Sequence, residues 1–276
     1  MASLTGGLTS GVSGGPFSGG VLWTPAASTA YLWFDPSDDT TTTIVSGALN
    51  AISSKIGTGV MSSAGVDPGV PVLVNGSDGL MIDNTNKIGY LKSTDAYSIG
   101  MCNSATAIAF AFVCKVIEPA ASFRNAVSAD NPSSSNIILL RGGTDEDAVL
   151  SVRSNDGVTL SQTTTPSGSV SAGFFVLSGQ IVAGTSQPQE FYINGTLADS
   201  GTSTISWDAT DLTSLSILGS TSGSNRWNCC MGDIGLWKTT RTSLERDQFD
   251  AYLAYKYDLI DLFPDDFQFK NTKPTV

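Results

Sequence analysis

Ala105-Thr106-Ala107-Ile108-Ala109-Phe110-Ala111-Phe112-Val113-Cys114-Lys115-Val116 is an almost unbroken apolar run. In an extended chain, successive side chains face opposite ways. Phe110, Phe112 and Cys114 then share one face, and Ala109, Ala111 and Val113 share the other. A strand that is apolar on both faces belongs in the middle of a layered sheet structure, covered on each side.

Working outward, the same kind of signal repeats with regular punctuation. Val70–Val74 stops at Asn75-Gly76, Gly79–Ile82 stops at Asp83-Asn84, and Ile88–Leu91 follows. Ile137–Arg141, Ala148–Arg153 and Val158–Gln162 are divided by Gly, Asp or Asn, with a hairpin expected at Ser154-Asn155-Asp156-Gly157. Gly173–Val182 is a second long apolar run. Gln189–Ile193, Asn194-Gly195 and Thr196–Ala198 form the strongest hairpin signal, because Asn-Gly suits the tight turn that matches strand twist. Ser214–Leu218 and Met231–Trp237 complete the series. At the front, Tyr31-Leu32-Trp33-Phe34 reads as the first core strand, stopped by Pro36, and Thr43–Val45 as a short second one. Ala48–Gly65 gives mixed signals and reads as loop. About a dozen short strands with almost no helix between them predict an all-β, antiparallel two-sheet jelly-roll sandwich. The exception is one short C-terminal amphipathic helix. Thr242 or Ser243 caps it, and Phe249, Tyr252 and Leu253 lie at helical spacing.

Residues 1–29 read as a Gly/Ser/Thr-rich arm, residues 30–262 as the sandwich and residues 263–276 as an irregular tail. The arm is either a flexible leader or a segment that docks on a partner or neighbouring subunit through Phe17, Leu22 and Trp23. Its start lacks the basic and apolar regions of a secretory signal, and no stretch is apolar enough for a membrane span. Synthesis and folding in cytoplasm are expected, with any extracellular role reached by another exit such as cell lysis.

Composition narrows the chemistry. Among 276 residues the formal net charge is −11, which disfavours nucleic acid and anionic membrane as partners. The chain has no histidine, so Ser-His-Asp and Cys-His catalysis and histidine-bound zinc are excluded. The four cysteines, Cys102, Cys114, Cys229 and Cys230, lack CxxC spacing. They read as small buried hydrophobes, with a disulfide to Cys102 or Cys114 left open.

The order of pieces resembles the concanavalin A-like, laminin-G-like jelly rolls. The resemblance rests on Leu32-Trp33-Phe34-Asp35-Pro36-Ser37-Asp38, on Phe191-Tyr192-Ile193-Asn194-Gly195 and on Leu215–Gly219. It is carried furthest by Gly232-Asp233-Ile234-Gly235-Leu236-Trp237, then Leu244-Glu245-Arg246, then Ala251-Tyr252-Leu253-Ala254-Tyr255-Lys256-Tyr257. The family's Trp-x-Asp-x-Ser-Gly-x-Gly segment has no counterpart in Ala51–Gly59. The resemblance implies a module of the kind found in secreted polysaccharide-handling proteins and in virion proteins of tailed bacteriophages. With the arm and no secretory signal, the expected setting is the virion. There the chain would be a non-enzymatic structural protein, either a capsid decoration or a tail or baseplate appendage. Other virion proteins, a homo-oligomer such as a trimer, and a cell-surface glycan are the expected partners. The alternative is a free-standing lectin, and a glycan hydrolase comes third.

Candidate sites follow from residue chemistry. Jelly-roll glycanases need paired carboxylates, typically as Glu-x-Asp-x-x-Glu on one strand, and no such string exists here. Asp145-Glu146-Asp147 and Asp265-Asp266 read as solvated loops. No cofactor is expected, with calcium the one candidate because it needs only oxygen ligands. Asp35, Asp38 and Asp39 are the first choice for it, then Asp83 and Asp233, although Asp233 reads rather as a structural residue that fixes the turn into the last strand. Sugar binding uses aromatic faces beside amides and carboxylates, which points to Asn225-Arg226-Trp227-Asn228 and to Trp207-Asp208. Trp227 reads equally as a core or interface anchor, whereas Trp33, Trp237 and Phe191 read as core.

Overall fold

The apolar run quoted above forms a strand at Ala107–Val116, with one neighbouring strand paired along its whole length and another along Ala109–Val116. The computed structural model describes residues 23–275 apart from 65–67, 70, 74–78, 86–88, 94, 102–104, 118–123, 131–134, 143–146, 154–159, 185, 204–212 and 220–225. In chain order the strands begin with β1 (Leu32–Phe34), β2 (Thr42–Val45), β3 (Ala48–Ser53), β4 (Val60–Ser63), β5 (Pro71–Leu73), β6 (Leu80–Asp83) and β7 (Leu91–Ser93). A single-turn helix α1 (Ala96–Ile99) precedes β8 (Ala107–Val116), β9 (Arg124–Asp130), β10 (Ser135–Gly142), β11 (Ala148–Arg153) and β12 (Leu160–Thr164). Then come β13 (Gly173–Val182), β14 (Pro188–Ile193), β15 (Thr196–Thr202), β16 (Ser214–Ile217), β17 (Cys229–Trp237) and helix α2 (Ser243–Lys256).

The described strands form two sheets. One runs β15-β14-β13-β8-β17-β6-β5 with β1 beside β17, and the other runs β12-β11-β10-β9-β16-β7-β4-β3-β2. Sequence neighbours such as β13 and β14, and distant strands such as β8 and β17, pair antiparallel alike. This is the expected two-sheet jelly-roll sandwich with one C-terminal helix.

The two faces of β8 feed two separate cores. Phe110, Phe112 and Cys114 point between the sheets, where they meet Leu32, Phe34, Ile52, Leu150, Phe191 and Ile217. Ala109, Ala111 and Val113 point outward beneath α2, together with Phe249, Leu253 and Tyr257. Alanine on that face is what lets a helix lie close to the strands. The helix begins with a full capping box: the Thr242 side chain accepts from the Glu245 backbone N–H, and the Glu245 carboxylate accepts from the Thr242 backbone N–H. At the Asn194-Gly195 turn both residues have positive φ, 49° and 76°, as the Asn-Gly signal requires.

Four elements depart from the sequence reading. Ala48–Gly65 contains β3 and β4 instead of a loop. Pairing of β3 with β2 shifts register between Thr43 and Ile44, skipping Asn50, so Leu49 and Ile52 both point inward three residues apart. That bulge destroys the alternation a strand normally shows. Strand β9 went unread because its buried positions are small or polar, Asn125, Ala126, Val127, Ser128 and Ala129. The Ser128 hydroxyl is satisfied by Ser216 on the neighbouring strand at 2.7 Å. Helix α1 carried no periodic signal, and its N-cap is Asp95, which accepts from the Ser98 N–H.

Described residues on either side of 30–262 join the packed body. Trp23 lies edge-on to Phe249 and Tyr252 of α2, and its backbone N–H donates to the Pro274 carbonyl. Phe263 and Phe267 join the same outer core, and the Lys270 ammonium donates to the carbonyls of Ile260, Asp261 and Phe263. Trp23, expected to reach a partner, is therefore held by its own chain. Phe17 and Leu22 lie outside the described residues.

Candidate functional site

Two clusters of polar side chains lie beside α2. The first is an open cleft. Gln180 of β13 and Glu190 of β14 are cross-strand partners, and strand alternation puts Tyr192 on the same face as Glu190. The segment entering α2 crosses above them, because the Arg241 N–H donates to Gln180 Oε1 at 3.1 Å. Arg241 also donates from Nη2 to the Phe110 carbonyl at 2.9 Å and stacks over Trp237. Arg246 lies 3.9 Å from the Tyr192 ring centre and is paired with Asp247. Gly179, Gln180, Glu190, Tyr192, Arg241 and Arg246 line a small surface depression. Glu190 Oε2 accepts from Gln180 Nε2 at 2.9 Å and from the Tyr192 hydroxyl at 3.4 Å. Burial raises the Tyr192 hydroxyl above its ordinary range, so it stays protonated as a donor. The cleft thus offers a carboxylate, an amide, a phenol and a guanidinium within one small patch. With one ring face already under Arg246, recognition here falls to these polar tips.

Beneath the cleft, Asp250 of α2 accepts from the Ser178 hydroxyl at 2.7 Å. Burial pushes its carboxyl up to about 6, against the opposing pull of the Arg241 guanidinium. The unfolded chain has the ordinary value of 3.8, so the folded state holds this proton more tightly. Stability from this group is complete below the unfolded value and is lost as pH rises through about 6. The gap corresponds to about 3 kcal/mol. Asp250→Asn is therefore expected to gain about 3 kcal/mol relative to the wild type between pH 4 and pH 7. Chemical denaturation of both chains across that range checks this, and parallel pH curves would contradict it.

The second cluster is closed. Lys256, in the last turn of α2, reaches Asp35 Oδ1 at 2.6 Å and Asp233 Oδ1 at 2.7 Å. Asp35 follows β1, and Asp233 lies in β17 beside it. Asp233 Oδ2 also accepts from Trp33 Nε1 at 2.9 Å and from the Tyr252 hydroxyl at 3.2 Å. Tyr257 donates to Asp233 Oδ1 at 2.7 Å and accepts from the Asp233 N–H. The ring can approach because residue 232 is glycine, where an added Cβ would fall 2.5 Å from Tyr257. Lys55 binds Asp35 and Asp38 from the solvent side. Burial alone would raise the Asp35 carboxyl, but the Lys256 and Lys55 ammoniums overcome it and hold the group below its usual range. Burial dominates at Asp233 and raises it.

This network places the candidate calcium ligands. Both oxygens of Asp35 and Oδ2 of Asp38 are taken by lysine ammoniums, Asp38 Oδ1 accepts from the Thr40 N–H and hydroxyl, and Asp39 is exposed nearby. Asp83 accepts from the Thr85 N–H at the end of β6. Among the described residues no group of three or more His, Cys, Asp or Glu is arranged to hold a metal ion. Of the two readings of Trp227, the packing selects the core one. Trp227 is 2% exposed in the inter-sheet core, so its face is no sugar platform in this conformation. Its carbonyl accepts from Asn84 Nδ2, Asn228 is buried, and Arg226 stacks on Tyr90. Asn225, Trp207 and Asp208 lie outside the described residues. Cys114, Cys229 and Cys230 are free and buried, and burial raises all three thiols. Cys102 lies outside the described residues. The cleft itself was missed because Gln180 and Glu190 lie inside the strand runs Gly173–Val182 and Gln189–Ile193 with no motif of their own. The alternation Glu190-x-Tyr192 was visible, but the arrival of Arg241 and Arg246 above it was not.

Sheet order, the two cores and the terminal helix define an antiparallel two-sheet β-sandwich closed on one face by a C-terminal helix. No protein-family model matches the sequence. No curated protein matches it either. Solved structures do match. The botulinum neurotoxin serotype C1 binding domain superposes with a TM-score of 0.57 at 10% identity, covering 82% of this chain and 53% of that one. The binding domain of botulinum neurotoxin DC in complex with SialylT gives 0.56 at 10%, covering 83% and 52%. The binding domain of Paraclostridial Mosquitocidal Protein 1 gives 0.58 at 12%, covering 81% and 52%. At such identities the likeness is one of fold, and this chain spans about half the length of those chains.

Proposed function

We propose that this chain is a non-enzymatic recognition module of lectin type that takes carbohydrate in the cleft formed by Gln180, Glu190, Tyr192 and Arg246. The cleft carries the reading: it joins acceptor and donor groups of the kind that select sugar hydroxyls, on rigid paired strands. Support comes from neighbours that are themselves binding domains, one of them solved with SialylT. Among the described residues Glu190 is the one carboxylate lining the depression, whereas glycoside hydrolysis calls for a pair. The virion setting implied by the sequence resemblance gives such a module its use, as an appendage that attaches particles to surface glycan. That setting brings the homo-oligomer and the other virion proteins as partners, and sedimentation with purified particles tests it.

A glycan array tests the binding itself. The wild type should retain a subset of glycans and release no reducing sugar from them. Glu190→Gln and Tyr192→Phe keep shape but remove hydrogen-bonding capacity, and each should weaken retention about tenfold or more. Undiminished binding by both variants would move the site elsewhere, and an array with no retained glycan would overturn the lectin reading.

A further inference from the structure

The Lys256 cluster contains more than an ion-pair network needs. One lysine lies within 2.7 Å of two carboxylates, inside a site where the three side chains are 15%, 8% and 0% exposed. The carboxylates are not equivalent. Asp35 meets lysines on both oxygens, with Lys256 on Oδ1 and Lys55 on Oδ2. Asp233 has its Oδ2 held by two fixed donors, Trp33 Nε1–H and the Tyr252 hydroxyl. Neither donor belongs to the lysine. Two aimed donors on one carboxyl oxygen are the arrangement that stabilises a tetrahedral oxyanion. The lysine nitrogen stands at the opposite oxygen, within reach of the carboxyl carbon, and a third group able to move a proton touches it.

We propose that Lys256 and Asp233 condense after folding into an intramolecular amide, with Asp35 as the proton carrier and Trp33 and Tyr252 as the oxyanion donors. Asp35 takes a proton from the Lys256 ammonium. The free amine attacks Cγ of the Asp233 carboxylic acid, and the electron pair of the C=O bond moves to Oδ2 between Trp33 and Tyr252. Asp35 passes its proton to Oδ1, which carries its own hydrogen and leaves as water. The surplus proton on nitrogen returns to Asp35 as the C=O bond reforms. The Nζ–Cγ bond forms, the Cγ–Oδ1 bond breaks, one water departs and nothing is oxidised or reduced. Burial favours the acid form of Asp233 that the attack needs, while Asp35 stays ionised as the base. The exclusion of water favours condensation over hydrolysis. The neighbouring Lys55–Asp38 pair lacks these conditions, because both side chains are more than a fifth exposed, and it remains an ion pair.

Mass spectrometry of the purified, folded chain decides the matter. The intact mass should fall short of the sequence mass by one water in the bulk of the molecules. Trypsin should fail to cut at Lys256. A branched peptide should appear, with Trp227–Lys238 joined through Asp233 to Lys256 within Asp247–Lys270. Lys256→Arg keeps the charge but should show the full linear mass. Cleavage at Lys256 with a full intact mass would overturn the proposal, as would a branch through Asp35. The wild-type spectrum alone is sufficient, so the test does not depend on any variant folding.

Discussion

Lys256→Met is expected to destabilise the chain by about 3–5 kcal/mol, lowering its thermal midpoint by about 10 °C. The reason is electrostatic. Until the amide proposed above forms, a single ammonium is shared between Asp35 and Asp233, which are 5% and 0% exposed. Removing it leaves a carboxylate in β17 with only neutral donors, and one after β1 with Lys55 alone. Desolvation of a charge is repaid only while its partner stays, so truncating one member costs far more than the pair contributes. Lys256→Arg should recover only the electrostatic part of the loss, since it restores the charge but cannot form the amide. Thermal unfolding followed by circular dichroism reads both effects, and an unchanged midpoint for Lys256→Met would show that water enters the cluster freely.

Phe249→Ala is expected to cost about 3–5 kcal/mol, the range for a buried phenylalanine whose cavity closes only partly. Phe249 is fully buried and meets Trp237 edge-on at 4.9 Å and Trp23 at 6.0 Å. It is the anchor that ties β17, α2 and the chain's first described residue into one outer core. The loss should therefore be accompanied by faster proteolysis near Trp23 and Phe263, which share that core. Denaturant unfolding measures the energy. A cost below about 1 kcal/mol, with protease sensitivity unchanged, would mean that the helix is held mainly by its polar contacts.

How much of this was readable in the residues depends on which interaction decided each element. The double-faced run at β8 was legible because both of its cores are built from large or small apolar side chains at period two, and the Asn194-Gly195 hairpin because its turn demands positive φ. Helix α2 announced itself through Thr242, Glu245 and Phe249. Strand β3 was hidden by the bulge at Asn50, and β9 by a buried surface of Ser, Ala and Asn whose polar atoms find partners only across the sheet. Site residues were less legible for the same reason. A tryptophan beside amides reads alike whether it faces sugar or core, and only the packing of Trp227 decides between them. The aspartates around Asp35 suggested a cation, which the fold supplies from Lys55 and Lys256, some 20 and 221 residues away along the chain. Such long-range pairings leave no local pattern.

Amide hydrogen exchange resolved along the native chain tests the sandwich architecture most directly. The slowest amides are expected in β8, β13 and β17, which are paired on both sides, while the edge strands β2 and β15 should exchange orders of magnitude faster. Slowest exchange confined to α2, with β8 no better protected than those edges, would contradict a body built on two stacked sheets.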